Sequence, residues 1–278
     1  MDIEHLKSWI GREERAAQIA SPEPIAGLAA LLDHGSPSWP EGTVPPLGHW
    51  LYFSPRTPQS QIGEDGHPLR GGFLPPVELP RRMWAGGAVK FLSPVAIGSE
   101  LERVSTIEDV AAKTGASGDM VFVTVRHVIH ADRVAAIEER QDLVYRDGGS
   151  AGAAPAPAEP RAADTSRTIT PDPVMLFRYS ALTFNGHRIH YDRDYARNIE
   201  GYPGLVVHGP YAATLLLDLF LREKPAARVT GFTFRAQRPL FDTAPFTVNL
   251  LRGDATAEAW TASADGRTAM TARIDWET

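Results

Sequence analysis

Between Pro210 and Phe220 the chain sets Tyr211, Ala212, Ala213, Leu215, Leu216, Leu217, Leu219 and Phe220 around a helix with almost no polar side. Proline fits the first turn of a helix, where its missing N–H is not needed. A helix that is apolar nearly all round has to be buried, and a sheet curled around it is the simplest cover. Four strand patterns follow: Val229–Arg238, Phe246–Leu251, Ala257–Ala262 and Thr268–Ile274. Short turns such as Arg252-Gly253-Asp254 join them.

The first half carries the same pattern. Met83–Leu92, Glu100–Val110, Met120–Ile129 and Ala135–Tyr145 read as strands, and Val121, Val123 and Val125 alternate with Phe122, Thr124 and Arg126 as suits a sheet with one better-buried face. Phe91-Leu92-Ser93-Pro94-Val95 lines up with Ala236-Gln237-Arg238-Pro239-Leu240, and the later strands follow in the same order. The chain is therefore expected to be α+β, with two units side by side and their sheets continuous. Each unit is a helix followed by a four-stranded antiparallel meander. The first unit spans 1–147, an Ala/Pro/Gly/Ser-rich linker 148–167, and the second unit 168–278. Residues 2–19 are expected to be helical on the spacing of Ile3, Leu6, Ile10 and Ala17. A second helix begins at Pro24 and is closed by Gly35 as a left-handed cap. The stretch 36–80 is crowded with Pro, Gly and aromatic residues, and an ordered loop of that length usually covers or builds a site.

Composition narrows the function. A net charge of −6 argues against nucleic acid as the main partner. The absence of cysteine excludes disulfides, thiolate catalysis and cysteine-ligated metals. The N-terminal residues show no signal-peptide pattern, and no run approaches the ~20 apolar residues that span a bilayer. A cytoplasmic protein with a small-molecule partner is expected.

Three of the nine histidines lie in Phe184-Asn185-Gly186-His187-Arg188-Ile189-His190-Tyr191-Asp192 and the nearby Val207-His208-Gly209-Pro210. The second segment points free N–H groups and a helix dipole at whatever lies before the helix, a place to hold a developing negative oxygen; it also reads as a plain Gly-Pro helix start. Histidine is the natural general base near neutral pH, and an amide beside it can orient water without taking the proton. Asn185-Gly186 is also a turn signal in its own right. His187, His190, His208 and Asp192 form an alternative metal set, but without a strong zinc spacing. No serine-hydrolase elbow, P-loop or dinucleotide fingerprint is present.

Asn185-x4-His190, followed by Gly204-x3-His208-Gly209 and an apolar helix, resembles the motif of the MaoC-like (R)-specific enoyl-CoA hydratases. There an Asp-x4-His dyad precedes a His-Gly at the start of the central helix. Arg70-Gly71-Gly72-Phe73-Leu74-Pro75-Pro76 and Arg81-Arg82-Met83-Trp84-Ala85-Gly86-Gly87 are similar to one branch, which holds the mesaconyl-C(4)-CoA and itaconyl-CoA hydratases and the mitochondrial-type 3-hydroxyacyl-thioester dehydratases. The resemblance implies a double hot dog fold and a hydro-lyase for a short enoyl thioester of coenzyme A. It calls for no metal and no cofactor beyond the coenzyme A of the substrate. It places His190 on the motif histidine and Gly209 on the glycine whose N–H polarises the thioester, with His208 shaping the site and Thr214 a helix hydroxyl beside it. Asn185 departs from the motif aspartate, leaving Asp192 as the nearest substitute, with Asp142 and Glu139 more distant. Arg178 or Arg188 would receive a free substrate carboxylate, and Arg70, Arg81 and Arg82 the coenzyme A phosphates. The first unit would be non-catalytic and supply the pocket. A straight-chain 3-hydroxyacyl-thioester dehydratase and an acyl-CoA thioesterase on the same fold are the alternatives. A homodimer is the expected assembly, with monomer also open.

Overall fold

The computed structural model describes residues 2–115, 118–147 and 161–278. In chain order the elements are α1 (Ile3–Lys7), β1 (Glu13–Ile19), α2 (Glu23–Leu31), β2 (Arg81–Phe91), β3 (Glu100–Gly115), β4 (Gly118–Ala131) and β5 (Val134–Arg146). They continue with β6 (Thr165–Ile169), α3 (Pro173–Thr183), α4 (Arg193–Asn198), α5 (Gly209–Glu223), β7 (Arg228–Ala236), β8 (Phe246–Arg252), β9 (Thr256–Ser263) and β10 (Thr268–Glu277). The ten strands form one sheet in the order β1-β3-β4-β5-β2-β7-β10-β9-β8-β6. Read inward from its two edges, the sheet is the same unit twice: β1, β3, β4, β5, β2 meets β6, β8, β9, β10, β7. The halves join where β2 pairs antiparallel with β7, from Gly86↔Arg235 to Lys90↔Gly231. This is the double hot dog, and the continuous sheet follows from the repeat read around Pro94 and Pro239.

The alternation predicted for β4 holds, with Val121, Val123 and Val125 buried. Helix α5 packs on β8, β9 and β10, and Tyr211 through Leu221 are all buried along it. Each fully buried leucine or phenylalanine there contributes roughly 1.5–3 kcal/mol. One of these residues is charged. Asp218 lies 2.6 Å from His34 Nε2 and accepts from Arg222 at 2.8 Å, tying α5 to the chain just beyond α2.

Three expectations change. Residues 2–19 are not one helix: α1 is a single turn and Glu13–Ile19 is strand β1, paired from Glu13↔Thr106 to Ile19↔Glu100. Gly11 separates them at φ +84°, a conformation that suits glycine. As an edge strand β1 exposes both faces, so it lacks the one-sided alternation that would mark it in sequence. The left-handed residue after α2 is Asp33 (φ 57°), not Gly35; a short polar side chain tolerates that region. Among the described residues, the first unit also has no counterpart of α5. Between α2 and β2 run only the two-residue strand Thr43–Val44 and the 3-10 turns Gly48–Leu51 and Gln59–Gln61. Leu47, Leu51, Tyr52 and Phe53 from this stretch are buried in the core that holds α5. Of the expected linker, 148–160 lies outside the described residues, and the boundary at 167 runs through β6.

Candidate active site

Helix α3 stops because Phe184 turns left-handed at φ 51°, letting Asn185 N–H donate to Ser180 O at 2.8 Å. Phe184 is exposed and lines the cleft described below, so a conformation unusual for a bulky residue sits at a candidate site. Asn185 Oδ1 then accepts from His187 N–H at 3.0 Å, closing an Asx turn that delivers the 3-10 turn Arg188–His190. The amide of Asn185 is thus a turn-former for the histidine segment, and no hydrogen bond joins it to His190 among the described residues.

The His190 ring is buried, and its Nδ1 donates to Val206 O at 2.7 Å. A carbonyl can only accept, so Nδ1 carries the proton and Nε2 keeps its lone pair. Burial lowers the His190 pKa to about 4, with the Val206 carbonyl opposing and His67 assisting. His208 stacks on His190, ring centroids 3.6 Å apart and planes 17° off parallel. Its Nε2 meets Ser180 Oγ at 2.8 Å, and burial holds it well below the usual histidine range. His208 is the N-cap of α5 without a side-chain capping bond, which leaves Gly209 N–H at the open end of a 15-residue helix.

These elements border one large cleft of about 1550 Å³. The second unit contributes Tyr179, Ser180, Phe184, Asn185 and Pro210; the first contributes Trp50, His67, Arg82, Trp84 and Arg103. Three features of the first unit stand out, and the last two are new relative to the sequence reading. Glu139 is buried, 3.1 Å from His49 Nε2, and accepts from Trp50 Nε1 at 2.9 Å; burial pushes its carboxyl up, but His49 outweighs that and holds it at about 2. Arg103 is half-buried over the Phe53 ring. The turn Asp65-Gly66-His67-Pro68 lies against the second unit, Arg188 N–H donating to Asp65 O at 2.9 Å. Asp-Gly followed by His-Pro was a visible turn signal in the long loop, but nothing in the spacing told what it would touch.

The other predicted residues fall as follows. Thr214 donates to Pro210 O at 2.9 Å, so its proton is engaged within α5. Arg188 is held by Asp192 (2.7 Å) and the Tyr195 ring, and Asp192 also caps α4 through Tyr195 N–H. Asp192 is therefore committed to its own segment, and Asp142 pairs with Thr124 and Arg140. Arg178 is exposed on α3 away from the cleft lining. Arg70 donates to the carbonyls of Val77 and Pro80, bracing the proline-rich loop. Arg81 is held by Glu200. Arg82 lines the cleft with no carboxylate partner among the described residues, close enough to depress His67 and His187 by its charge. The alternative metal set does not converge, since His190, His208 and Asp192 are turned to Val206, Ser180 and Arg188.

A family profile described as hydroxyacyl-thioester dehydratase type 2 matches residues 46–242. The chain is 46% identical over 271 residues to a mesaconyl-C(4)-CoA hydratase of Chloroflexus aurantiacus, covering 96% of each. It is 28% identical to a mitochondrial hydroxyacyl-thioester dehydratase type 2 of Schizosaccharomyces pombe, covering 74% of this chain and 77% of that one. Among solved structures, a MaoC-like dehydratase from Phytophthora capsici superposes with a TM-score of 0.73 at 12% identity, covering 100% of this chain and 98% of the other. HtdX of Mycobacterium tuberculosis gives 0.67 at 18% identity, covering 95% and 99%.

Proposed function

This chain belongs to the hydroxyacyl-thioester dehydratase type 2 family, and we propose on that footing that it hydrates mesaconyl-C(4)-CoA reversibly to citramalyl-CoA. The observation that carries the reaction type is the pairing of a neutral, buried His190, its Nε2 unpartnered among the described residues, with the open N-terminus of α5. As water oxygen bonds the β-carbon, His190 Nε2 takes its proton. The alkene electrons move toward the thioester, and Gly209 N–H with the helix dipole holds the resulting enolate oxygen. His208 packs against His190 and keeps water from its back face. A proton added at the α-carbon completes the hydration.

The relative of 46% identity supports the acyl group, and so does Arg82. In mesaconyl-C(4)-CoA the free carboxylate sits on the β-carbon, the atom that water attacks. A nucleophile approaching beside that anion needs a cation in the cleft, and Arg82 lines it together with His67. We therefore assign the carboxylate to Arg82 in place of Arg178 or Arg188. Mesaconyl-C(4)-CoA, itaconyl-CoA and crotonyl-CoA at equal concentration are expected to separate by on the order of 100-fold in kcat/KM in favour of the first. Arg82→Gln should collapse that preference while sparing crotonyl-CoA. Preference for crotonyl-CoA would instead favour a straight-chain dehydratase, and release of free coenzyme A with the enoyl absorbance intact a thioesterase.

Gly209 offers a second check. A Cβ there would meet no protein atom within 4 Å, so Gly209→Ala should fold normally. Because the methyl group would project where the thioester approaches, kcat/KM should drop roughly tenfold or more; an unchanged value would remove Gly209 from the oxyanion site. The proposed chemistry uses side chains and backbone alone, without a metal or separate cofactor. The substrate class is the ground for proposing a cytoplasmic location, and no helix among the described residues is long and apolar enough to cross a membrane. The homodimer stays part of the proposal, although the pairing of units is already complete within one sheet.

A further inference from the structure

The family motif has a carboxylate where this chain has Asn185, and the structure brings a different one to the site. The turn 65–68 is seated on the histidine segment by direct backbone contact. A Cβ built on Gly66 would lie 1.8 Å from Gly186 O, and one on Gly186 2.9 Å from Gly66 O, so this approach needs glycine on both sides. Asp65 Oδ1 accepts from His67 N–H at 2.9 Å, and Asp65 Oδ2 lies 2.8 Å from His67 Nδ1. The His67 ring rests 4.1 Å from that of His187, which in turn stands edge-on to His190 at 5.4 Å. One polar atom from each of Asp65, His67 and His187 lies within 4.8 Å of the others. His67 lines the cleft.

We infer that Asp65 and His67 of the first unit replace the missing motif carboxylate: Asp65 fixes His67 with Nδ1–H toward itself and Nε2 toward the cleft, and His67 exchanges the proton of the substrate α-carbon. This rests on the hydro-lyase reading above and completes its proton inventory. In hydration His190 Nε2 gains the water proton as the C–O bond forms. The enolate then takes a proton from the His67 imidazolium, the C–H bond forming as N–H breaks, and solvent returns a proton from His190 to His67. In dehydration His67 removes the α-proton and protonated His190 donates to the departing hydroxyl. Two groups in contrasting environments are what such a pair of roles requires. His190 has only a neutral carbonyl behind it, which suits an acid. His67 is also lowered by burial, but the Asp65 carboxylate pulls the other way, against Arg82 and Arg70. Besides these, the His187 ring packs against it, and His190 lies near enough to feel its charge. Asp65 is a positioning residue, and His67 the catalytic one.

Asp65→Asn tests this, because its amide oxygen can still accept from His67 N–H while its NH2 faces His67 Nδ1, so the charge and the tautomer it fixes are lost together. It is expected to lower kcat on the order of 100-fold with KM little changed, and to move the acid limb of the dehydration pH profile downward. His67→Gln should match that loss. A second arm follows α-proton exchange of butyryl-CoA in D₂O by NMR; that saturated thioester has no hydroxyl to lose, so exchange needs the α-base but not His190. Exchange should survive His190→Asn and disappear in Asp65→Asn and His67→Gln. Normal kcat in Asp65→Asn, or exchange that survives His67→Gln but not His190→Asn, overturns the inference and leaves the hydratase reading standing. A wild-type protein that exchanges butyryl-CoA through His67 yet hydrates no enoyl thioester sinks the hydratase reading and leaves the α-proton role of His67 standing. One that does neither sinks both.

Discussion

Replacing His190 with asparagine is expected to cut kcat for hydration by on the order of 1,000-fold, about 4 kcal/mol of transition-state stabilisation. Asparagine suits the test because its amide N–H can occupy the Nδ1 position and keep the bond to Val206 O, now 2.7 Å. What disappears is the Nε2 lone pair. Substrate binding should survive, because the proposed hold on the thioester is at Gly209 and not at His190 Nε2. A fall in kcat with KM nearly unchanged therefore marks a group used in the transition state. Steady-state kinetics on mesaconyl-C(4)-CoA measure it, with circular dichroism to verify the fold. Turnover within tenfold of wild type would remove His190 from the chemistry.

The second large effect is on stability. Urea unfolding should show at least about 3 kcal/mol lost between pH 7 and pH 4, out of a total of about 5–15 kcal/mol for a typical domain. His187, His190 and His208 are all held below the ordinary 6.5, chiefly by burial, His187 to about 2 and His190 to about 4. Below pH 6.5 the unfolded chain protonates these rings and the folded chain does not. The unfolded state then binds more protons, so stability falls as pH falls, and the His190 share levels off near pH 4. Asp65 and Glu139 act lower down. Burial raises each, but hydrogen bonds and the charge of neighbouring histidines outweigh it and hold both below their ordinary values. Their contribution is present above the ordinary carboxylate range and is lost as pH drops through the depressed values, steepening the acid transition. His187→Gln should flatten the slope between pH 6.5 and 4. A wild-type curve that stays level down to pH 4.5 would contradict the burial of these rings.

Much of the architecture was legible in the chain. The paired prolines at 94 and 239 marked the repeat, and the valines of β4 marked a one-sided strand. The uniform apolarity around Leu216 called for a sheet to cover α5. Strand β1 was not legible, because an edge strand open to water on both faces needs no apolar alternation. The loop before β2 resisted for a different reason: its order comes from burying Leu51, Tyr52 and Phe53 against a core assembled elsewhere, not from any local period. Within the site, His190 and Gly209 stood out because their neighbours in sequence are also their neighbours in space. Asp192 looked like the nearest carboxylate for the same reason, yet it caps α4 and holds Arg188. Asp65 reaches the histidines across more than a hundred residues, through the packing of Gly66 on Gly186, the Arg188 N–H bond to Asp65 O and the contact of the His67 and His187 rings.

The mirrored strand order has a consequence for how such a protein can change. In a dimer of identical units every residue exists twice, so a loop reshaped for one site is reshaped at its twin. With both units in one chain and the halves joined at β2 and β7, each copy can drift alone. The first has an aromatic-rich loop where the second has its central helix, and that loop carries Asp65 and His67 to its neighbour without altering the neighbour's own helix. Substitutions in 33–80 can then retune the acyl group accepted while α5 and its N-terminus stay as they are. A survey of substrate range across variants of that loop would show how far the two copies have become independent.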